Sequence, residues 1–177
     1  MVAIQVYKPV DVVAAPALTI TEYIGRVASN DARVSACVAT VTSPTEEAFQ
    51  APDFDEFVMV LEGVIDIVEG DGVTRVSAGE GFVLPAGTRV KWRWPGPCKY
   101  VPICIPAFSP TNCNREEEAN VAKTEESMDR LRSLHKNAAA STRGVAVHYQ
   151  LPAPGFYVGL AAGALLASLV GKMLARR

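Results

Sequence analysis

Short segments in which apolar and polar residues alternate make up the first part of the chain. Leu18–Ile24 alternates as a half-buried strand does, and an apolar stretch rich in β-branched residues follows at 33–41. Similar short runs continue to residue 105 and are separated by turns rich in glycine and proline, such as the turn at 70–72. About nine short strands at regular spacing predict an all-β sandwich or barrel over residues 1–112.

The pattern changes to a helical period after the last predicted strand. Asn114, followed by acidic residues, predicts the N-cap of a short amphipathic helix within residues 113–137. The next residues, 138–154, are small, polar and interrupted by proline, which is typical of a linker. One apolar face of the predicted helix is formed by Met128, Leu131 and Leu134.

Residues 155–175 are the most apolar part of the chain. The run 156–171 carries no charged side chain, and the segment is followed by Arg176 and Arg177. About twenty helical residues cross a hydrocarbon core of about 30 Å, so this segment is long enough to span a membrane. A buried helix of a soluble protein is the alternative. The basic end and the position in the chain favour a single-pass C-terminal transmembrane α-helix.

Small residues recur at every fourth position of this predicted membrane helix. Residues four apart lie on one face of a helix, so they form a smooth groove that another helix backbone can approach closely. The alternative is that glycine and alanine are simply common in membrane helices. We expect an integral membrane protein complex, a second copy, or a bound lipid or pigment to pack here. The predicted interface consists of Gly155, Gly159, Gly163, Ala167 and Gly171.

Charge and cysteine usage exclude several classes of function. A net charge near −2, with no basic stripe along any segment, argues against a nucleic-acid partner. No pair of cysteines has the Cys-x-x-Cys spacing of a zinc cluster, so we expect free and mostly buried thiols. The first residues lack the basic start and sustained apolar run of a secretory signal. The four cysteines are Cys37, Cys98, Cys104 and Cys113.

Two glycine-containing patterns carry a family resemblance. The first runs from Glu56 to Gly63 with the form E-x6-G, and the second runs from Gly79 to Gly87 with the form G-x5-P-x-G. Together they resemble the two motifs of the cupin family, over roughly residues 30–110. Trp92 and the segment around Tyr100 are similar to the ethanolamine-utilisation-like branch of small single-domain cupins. The resemblance implies a cupin-like double-stranded β-helix, or jelly-roll barrel.

The same resemblance implies that the usual metal ligands are missing. Metal-binding cupins carry two histidines just before the motif glutamate and a third shortly after the P-x-G. These places fall near Gln50 and Pro52 and at Val90, and none of them is a histidine. A first-row metal ion in such a site needs about three or four protein ligands. We therefore expect no metal, no other cofactor and no catalytic residue.

The barrel interior is the remaining place for chemistry. If Val90 points inward, the period of two along a strand puts Trp92 and Trp94 inward as well. We expect the interior to be filled by its own apolar side chains, with Glu56 near the mouth or paired with Arg89 or Lys99. The alternative is a pocket for a small ligand. The residues of that candidate pocket are Gln50, Glu56, Val90, Trp92 and Tyr100.

These expectations combine into one hypothesis and one alternative. The hypothesis is a non-catalytic, membrane-anchored accessory or scaffold subunit of a larger photosynthetic or respiratory membrane complex. The chloroplast thylakoid is favoured over the mitochondrial inner membrane, because the segment 102–110 resembles the ending of cupins from photosynthetic lineages. The alternative is a membrane-tethered enzyme or small-molecule-binding module that uses the barrel interior.

Overall fold

The computed structural model of the chain describes residues 4–116 and 122–141. Within these ranges it has ten β-strands and one α-helix. The strands are β1 (Val10–Ala14), β2 (Leu18–Ile24), β3 (Ser35–Val41), β4 (Thr45–Glu46), β5 (Asp55–Glu62), β6 (Val64–Glu69), β7 (Gly72–Ser77), β8 (Gly81–Leu84), β9 (Lys91–Trp94) and β10 (Cys98–Ile105), and the helix is α1 (Ala122–Ser141).

The strands form two antiparallel sheets, as the predicted jelly-roll barrel requires. One sheet has six strands in the order β1-β2-β3-β10-β5-β8, and the other has four in the order β4-β9-β6-β7. The all-β prediction is thus confirmed, although β1 and β4 were not among the predicted strands. A strand of two residues, such as β4, is too short to show a period in the sequence.

Alternation along the strands places the core between the two sheets. On β9 Trp92 and Trp94 are buried, and Val90, just before this strand, is fully buried. On β5 Glu56 is buried in the same way, whereas Phe57 and Met59 point outward and remain exposed. The predicted inward positions of Val90, Trp92 and Trp94 are therefore confirmed. The apolar core consists of Leu18, Ala39, Val41, Val58, Val60, Ile65, Ile67, Val76, Leu84, Val90, Trp92, Trp94, Cys98 and Tyr100.

The connection between β5 and β6 depends on a glycine without a side chain. Gly63 has a φ of 77°, and a Cβ added there would collide with the carbonyl oxygen of Pro97. Gly87 has a nearly identical φ of 78°, but no atom lies within 4 Å of the place that its Cβ would occupy. Both glycines belong to the two sequence patterns, and only Gly63 is required by packing as well as by its backbone conformation.

Helix α1 packs against the first strand of the barrel. Leu131 is only 1% exposed, and the Arg130 Nη2 donates a hydrogen bond of 3.0 Å to the carbonyl oxygen of Asp11. The predicted N-cap at Asn114 was wrong. That residue has a φ of 47°, and its side-chain amide donates to the Ala51 carbonyl oxygen at 3.0 Å, so it closes a turn against the barrel. The helix continues to Ser141, so it includes the first residues of the predicted linker.

Within the described ranges, no helix has the length and apolar character that a membrane span requires. The segment 155–175, predicted from the sequence to cross a membrane, lies outside the described residues, and so does most of the predicted linker 138–154. The helix-packing interface predicted there is thus outside them too, with its residues Gly155, Gly159, Gly163, Ala167 and Gly171.

Candidate functional site

A cavity of about 100 Å³ lies inside the barrel. Its walls are formed by the inner face of the six-stranded sheet, by one side chain of β9, by the segments before β5 and after β10, and by α1. The cavity lies beside Glu56 on β5, whereas Val58 and Val60 on the same strand belong to the filled core. The lining side chains are Val12, Val13, Ile20, Ser35, Cys37, Glu47, Gln50, Phe54, Glu56, Trp92, Tyr100, Pro102, Cys104, Phe108, Cys113, Arg115 and Leu131.

Glu56 is a carboxylic acid of this cavity whose pKa is shifted. The alternation of β5 points it inward, where its side chain is 8% exposed. Burial, followed by the negative charge of Glu47, raises the pKa of Glu56 to about 8. No hydrogen bond or ion pair of its carboxyl is formed within the described part of the chain. The carboxyl is therefore protonated at neutral pH and can donate a hydrogen bond.

Glu47 and Arg115 form an ion pair in the cavity wall. The Arg115 Nη2 lies 3.1 Å from the Glu47 Oε1, and both side chains are largely buried. The backbone holds them in place, because Gln50 pairs with both Val90 and Arg115 as a bridge between chain segments. The Arg115 Nε is buried and has no acceptor among the described residues. The Nε–H of this guanidinium thus remains available to an acceptor in the cavity.

An aromatic stack forms another wall of the cavity. The ring of Trp92 lies 5.7 Å from that of Tyr100 and 6.0 Å from that of Trp94, with interplanar angles of 24° and 28°. Such offset stacking fixes the orientation of the rings. The Trp92 Nε1 is buried, and no acceptor for its hydrogen lies among the described residues. Burial raises the pKa of the Tyr100 hydroxyl well above its ordinary value, so this group stays neutral.

The cysteine thiols near the cavity have low reactivity. All four cysteines are free and buried, as predicted. Burial raises the pKa of Cys37 to about 12, and it also raises the pKa of Cys104 and Cys113. The thiolate is the nucleophilic form, so these side chains are poor nucleophiles at neutral pH.

The cavity brings together four of the five residues of the predicted pocket. Gln50, Glu56, Trp92 and Tyr100 all line it. Val90 does not, because its fully buried side chain packs in the apolar core while its backbone pairs with Gln50. The expected pairing of Glu56 with a cation is not found among the described residues. Arg89, one candidate, pairs with Glu116 at 2.6 Å instead.

Three further lining residues carry much of the site and were not predicted: Glu47, Arg115 and Leu131. Glu47 and Arg115 lie in segments without alternation, and they meet only because the bridges at Gln50 bring distant parts of the chain together. Leu131 was predicted to lie on the apolar face of a helix, but the helical period of the sequence does not indicate which part of the protein that face contacts.

The barrel corresponds to a known family. Residues 44–105 match the family described as cupin domain. This segment has a cupin-domain fold. The polyketide cyclase RemF from Streptomyces resistomycificus has a similar fold, with a TM-score of 0.53 and 19% sequence identity over 76% of this chain and 98% of that chain. The EutQ protein from Clostridium difficile gives a TM-score of 0.45 and 18% identity, over 51% of this chain and 63% of that chain.

A curated relative matches part of the chain more closely. The protein named endoribonuclease YbeY in Myxococcus xanthus (strain DK1622) is 40% identical over 101 residues. These residues are 55% of this chain and 34% of that relative. The chain therefore spans about a third of the length of the curated relative that it matches.

The donor set of this cupin domain does not fit a transition metal. Among the described residues, no group of three or more histidine, cysteine, aspartate or glutamate side chains is arranged to hold a metal ion. At the three places where the motifs of metal-binding cupins carry histidine, the chain has a neutral amide near Gln50, the ring of Pro52, and the methyl groups of Val90. Glu56 alone supplies a strong oxygen ligand there, which is fewer than such ions need.

Proposed function

We propose that the cupin domain binds a small molecule carrying a carbonyl or carboxylic acid group inside the barrel, without a metal. The observation that carries this proposal is the Glu56 carboxyl, which is buried and uncharged at neutral pH and has no partner among the described residues. An acceptor placed in the cavity would form the hydrogen bond that this carboxyl lacks, which contributes about 0.5–1.5 kcal/mol. A ligand oxygen is such an acceptor.

Two more donors support the same class of ligand. Trp92 and Arg115 line the cavity together with Glu56, and their Nε1–H and Nε–H groups have no acceptor among the described residues. A group that presents only lone pairs to three donors is a carbonyl or carboxyl oxygen, since an amine or ammonium would add donors of its own. The apolar side chains that complete the wall, such as Phe54 and Leu131, favour a short hydrocarbon part.

The volume of the cavity limits the size of the ligand. Pockets for drug-sized molecules measure about 300–1,000 Å³, whereas this one measures about 100 Å³. A water molecule takes a share of about 30 Å³ in the liquid, so the cavity has the volume of about three waters and fits a compound of only a few non-hydrogen atoms. Short-chain acids, aldehydes and ketones are in this range. That the protein is not an enzyme stays a prediction. The proposed binding role is compatible with it.

Thermal unfolding with a panel of short acids, aldehydes and ketones tests the proposal. We expect at least one compound to raise the melting temperature, because a ligand that binds only the folded state stabilises it. Glu56→Gln keeps a donor at this place and should retain the shift, whereas Glu56→Leu should abolish it. Glu62→Gln, an exposed acid at the end of the same strand, is the matched control and should behave as the natural chain. A flat response to the whole panel would contradict the proposal.

A second candidate function is supported by a different feature. We propose that the chain is also tethered to a membrane through residues 155–175 and acts there as an accessory subunit of a photosynthetic or respiratory complex. The charge-free run and its small residues in register support this, and so does the exposed apolar outer face of the barrel at Phe57, Met59 and Val83. Replacing Gly159 and Gly163 by leucine should release co-purifying membrane proteins while the barrel stays folded.

The control for that experiment is a pair of leucines on another face of the same segment. Ala161→Leu and Ala164→Leu introduce the same leucine side chains away from the register of small residues. Co-purification that survives in both double variants would rule out docking by the glycine face. The tether itself is tested on the natural chain. Its full extraction from membranes by carbonate would rule out a membrane-spanning segment.

A further inference from the structure

A second cavity lies outside the barrel interior and is larger, about 430 Å³. It is bordered by the connection between β2 and β3, by the turn that follows β10, and by α1. None of its lining residues lines the cavity beside Glu56, so the two sites are separate. The lining residues are Arg26, Asn30, Ala32, Ser109, Pro110, Thr111, Arg132, His135 and Ala139.

This second cavity concentrates positive charge. Arg26 and Arg132 enter its wall from different segments, and no acidic side chain is among the described residues that line it. The Arg132 Nη1 donates to the Asp129 Oδ1 at 2.9 Å in an exposed ion pair on α1, so an anion in the cavity would bind the remaining N–H groups of this guanidinium. The Arg26 Nε donates a hydrogen bond of 3.2 Å to the carbonyl oxygen of Ala107, which fixes that guanidinium against the barrel. Burial, followed by the positive charge of Arg26, lowers the pKa of His135, so Arg26 acts on this ring across the cavity. The ring is therefore neutral at pH 7, and the positive charge of this wall is carried by the two guanidinium groups.

Uncharged donors complete the wall. The His135 Nε2 is buried and has no partner among the described residues, and its ring is held edge-on against Phe108 at 6.2 Å. The hydroxyl oxygens of Ser109 and Thr111 lie 3.0 Å apart. One hydroxyl donates to the other in such a pair, so the second hydrogen is left for another acceptor.

We propose that this second cavity binds an oxyanion carried by a small organic molecule. Arg26 and Arg132 supply the charge, since guanidinium groups donate two parallel hydrogen bonds to phosphate or carboxylate oxygens. The hydroxyls and the ring of His135 donate to the remaining oxygens. A cavity of about 430 Å³ falls in the range of sites for small organic ligands, so the anion is one group of a larger compound.

Binding of inorganic phosphate and of acetate by the full chain tests this proposal. The ring signals of His135, assigned by comparison with His135→Gln, should shift with phosphate or acetate at an ionic strength kept constant with sodium chloride. Arg26→Gln and Arg132→Gln should each weaken the binding by about tenfold, because each removes a charge-assisted hydrogen bond. Lys136→Gln removes one positive charge from the exposed surface of the same helix and should change the affinity by less than about twofold.

Three results would overturn the proposal. One is a His135 signal that responds to sodium chloride as much as to either anion. Another is an equal loss of affinity in Lys136→Gln and Arg132→Gln, which indicates general attraction of anions to a basic surface. The third is retention of affinity in Arg26→Gln with the fold intact by circular dichroism. Glu56→Leu should leave anion binding unchanged, so failure at one cavity does not bear on the other.

Discussion

Glu47 and Glu56 line one cavity, and the negative charge of Glu47 adds to burial in raising the pKa of Glu56 to about 8. Only Glu47 has a cationic partner within the described residues, because Arg115 pairs with it at 3.1 Å. Two carboxyl groups in one enclosed space disfavour a double negative charge, so one of them keeps its proton. The cavity therefore contains one carboxylate within an ion pair and one neutral acid, and the neutral acid is free to bind a ligand.

The stability of the protein should depend on pH through Glu56. Its ordinary pKa is 4.5 and its folded value is about 8, so the folded state holds one more proton than the unfolded state between these values. Stability therefore falls as pH rises through this window, by about 1.4 kcal/mol per pH unit. Glu56→Gln should remove that slope, and Glu62→Gln should keep it. Urea unfolding at several pH values measures the effect, and parallel curves for Glu56→Gln and the natural chain would contradict it.

Neutralising Glu47 should make Glu56 a stronger acid. Glu47→Gln removes the negative charge and leaves the charge of Arg115 without its carboxylate, and both changes favour ionisation of Glu56. The pKa of Glu56 should fall, which NMR of carboxyl-labelled glutamate can follow directly. Glu46→Gln is the neighbouring control. It pairs with Lys91 outside the cavity, and its removal should leave the titration of Glu56 nearly unchanged.

Truncating Leu131 should open the cavity beneath α1. This side chain is almost completely buried in the cavity wall, so Leu131→Ala is expected to cost about 2–5 kcal/mol in the free energy of unfolding. Leu134→Ala on the same helix removes a partly exposed side chain and should cost less. Hydrogen exchange should quicken in α1 and near Phe54 in the first variant. Equal costs for the two variants would mean that Leu131 does not seal the barrel.

The two motif glycines allow a clash to be separated from backbone strain. Gly63 and Gly87 have φ values of 77° and 78°, so alanine meets the same conformational cost at both, about 1–2 kcal/mol. Only at Gly63 does the new methyl group collide with the Pro97 carbonyl. Gly63→Ala should therefore lose about 2 kcal/mol more than Gly87→Ala in denaturant unfolding. Equal losses would show that the loop at Pro97 moves aside easily.

The sequence predicted the barrel and its inward-facing residues because alternation is a local property. Val90, Trp92 and Trp94 share one face of a strand whatever the rest of the chain does, and the structure places all three in the core. Glu56 was located differently, through the resemblance of residues 56–63 to a cupin motif. The period along β5 could not indicate whether the space beside Glu56 is filled, since that depends on side chains from several other strands.

The rest of the site depends on long-range pairing that leaves no local signal. The backbone of Gln50 pairs with Val90 on one side and with Arg115 on the other. This pairing places the Arg115 side chain in the wall of the cavity. The acidic run after Asn114 indicated a helix start, but the turn formed by Asn114 against Ala51 competes with it and prevails. Tertiary contacts of this kind override local propensity, and they are why Glu47 and Arg115 were missed.

Both tryptophans of the chain belong to the aromatic stack, and one of them, Trp92, borders the enclosed volume at Glu56. Tryptophan fluorescence of this protein therefore comes entirely from the interior of the barrel. A bound molecule whose oxygen accepts a hydrogen bond from the Trp92 Nε1–H would change the emission wavelength and the quantum yield. Binding in the cavity can thus be followed by intrinsic fluorescence without a label.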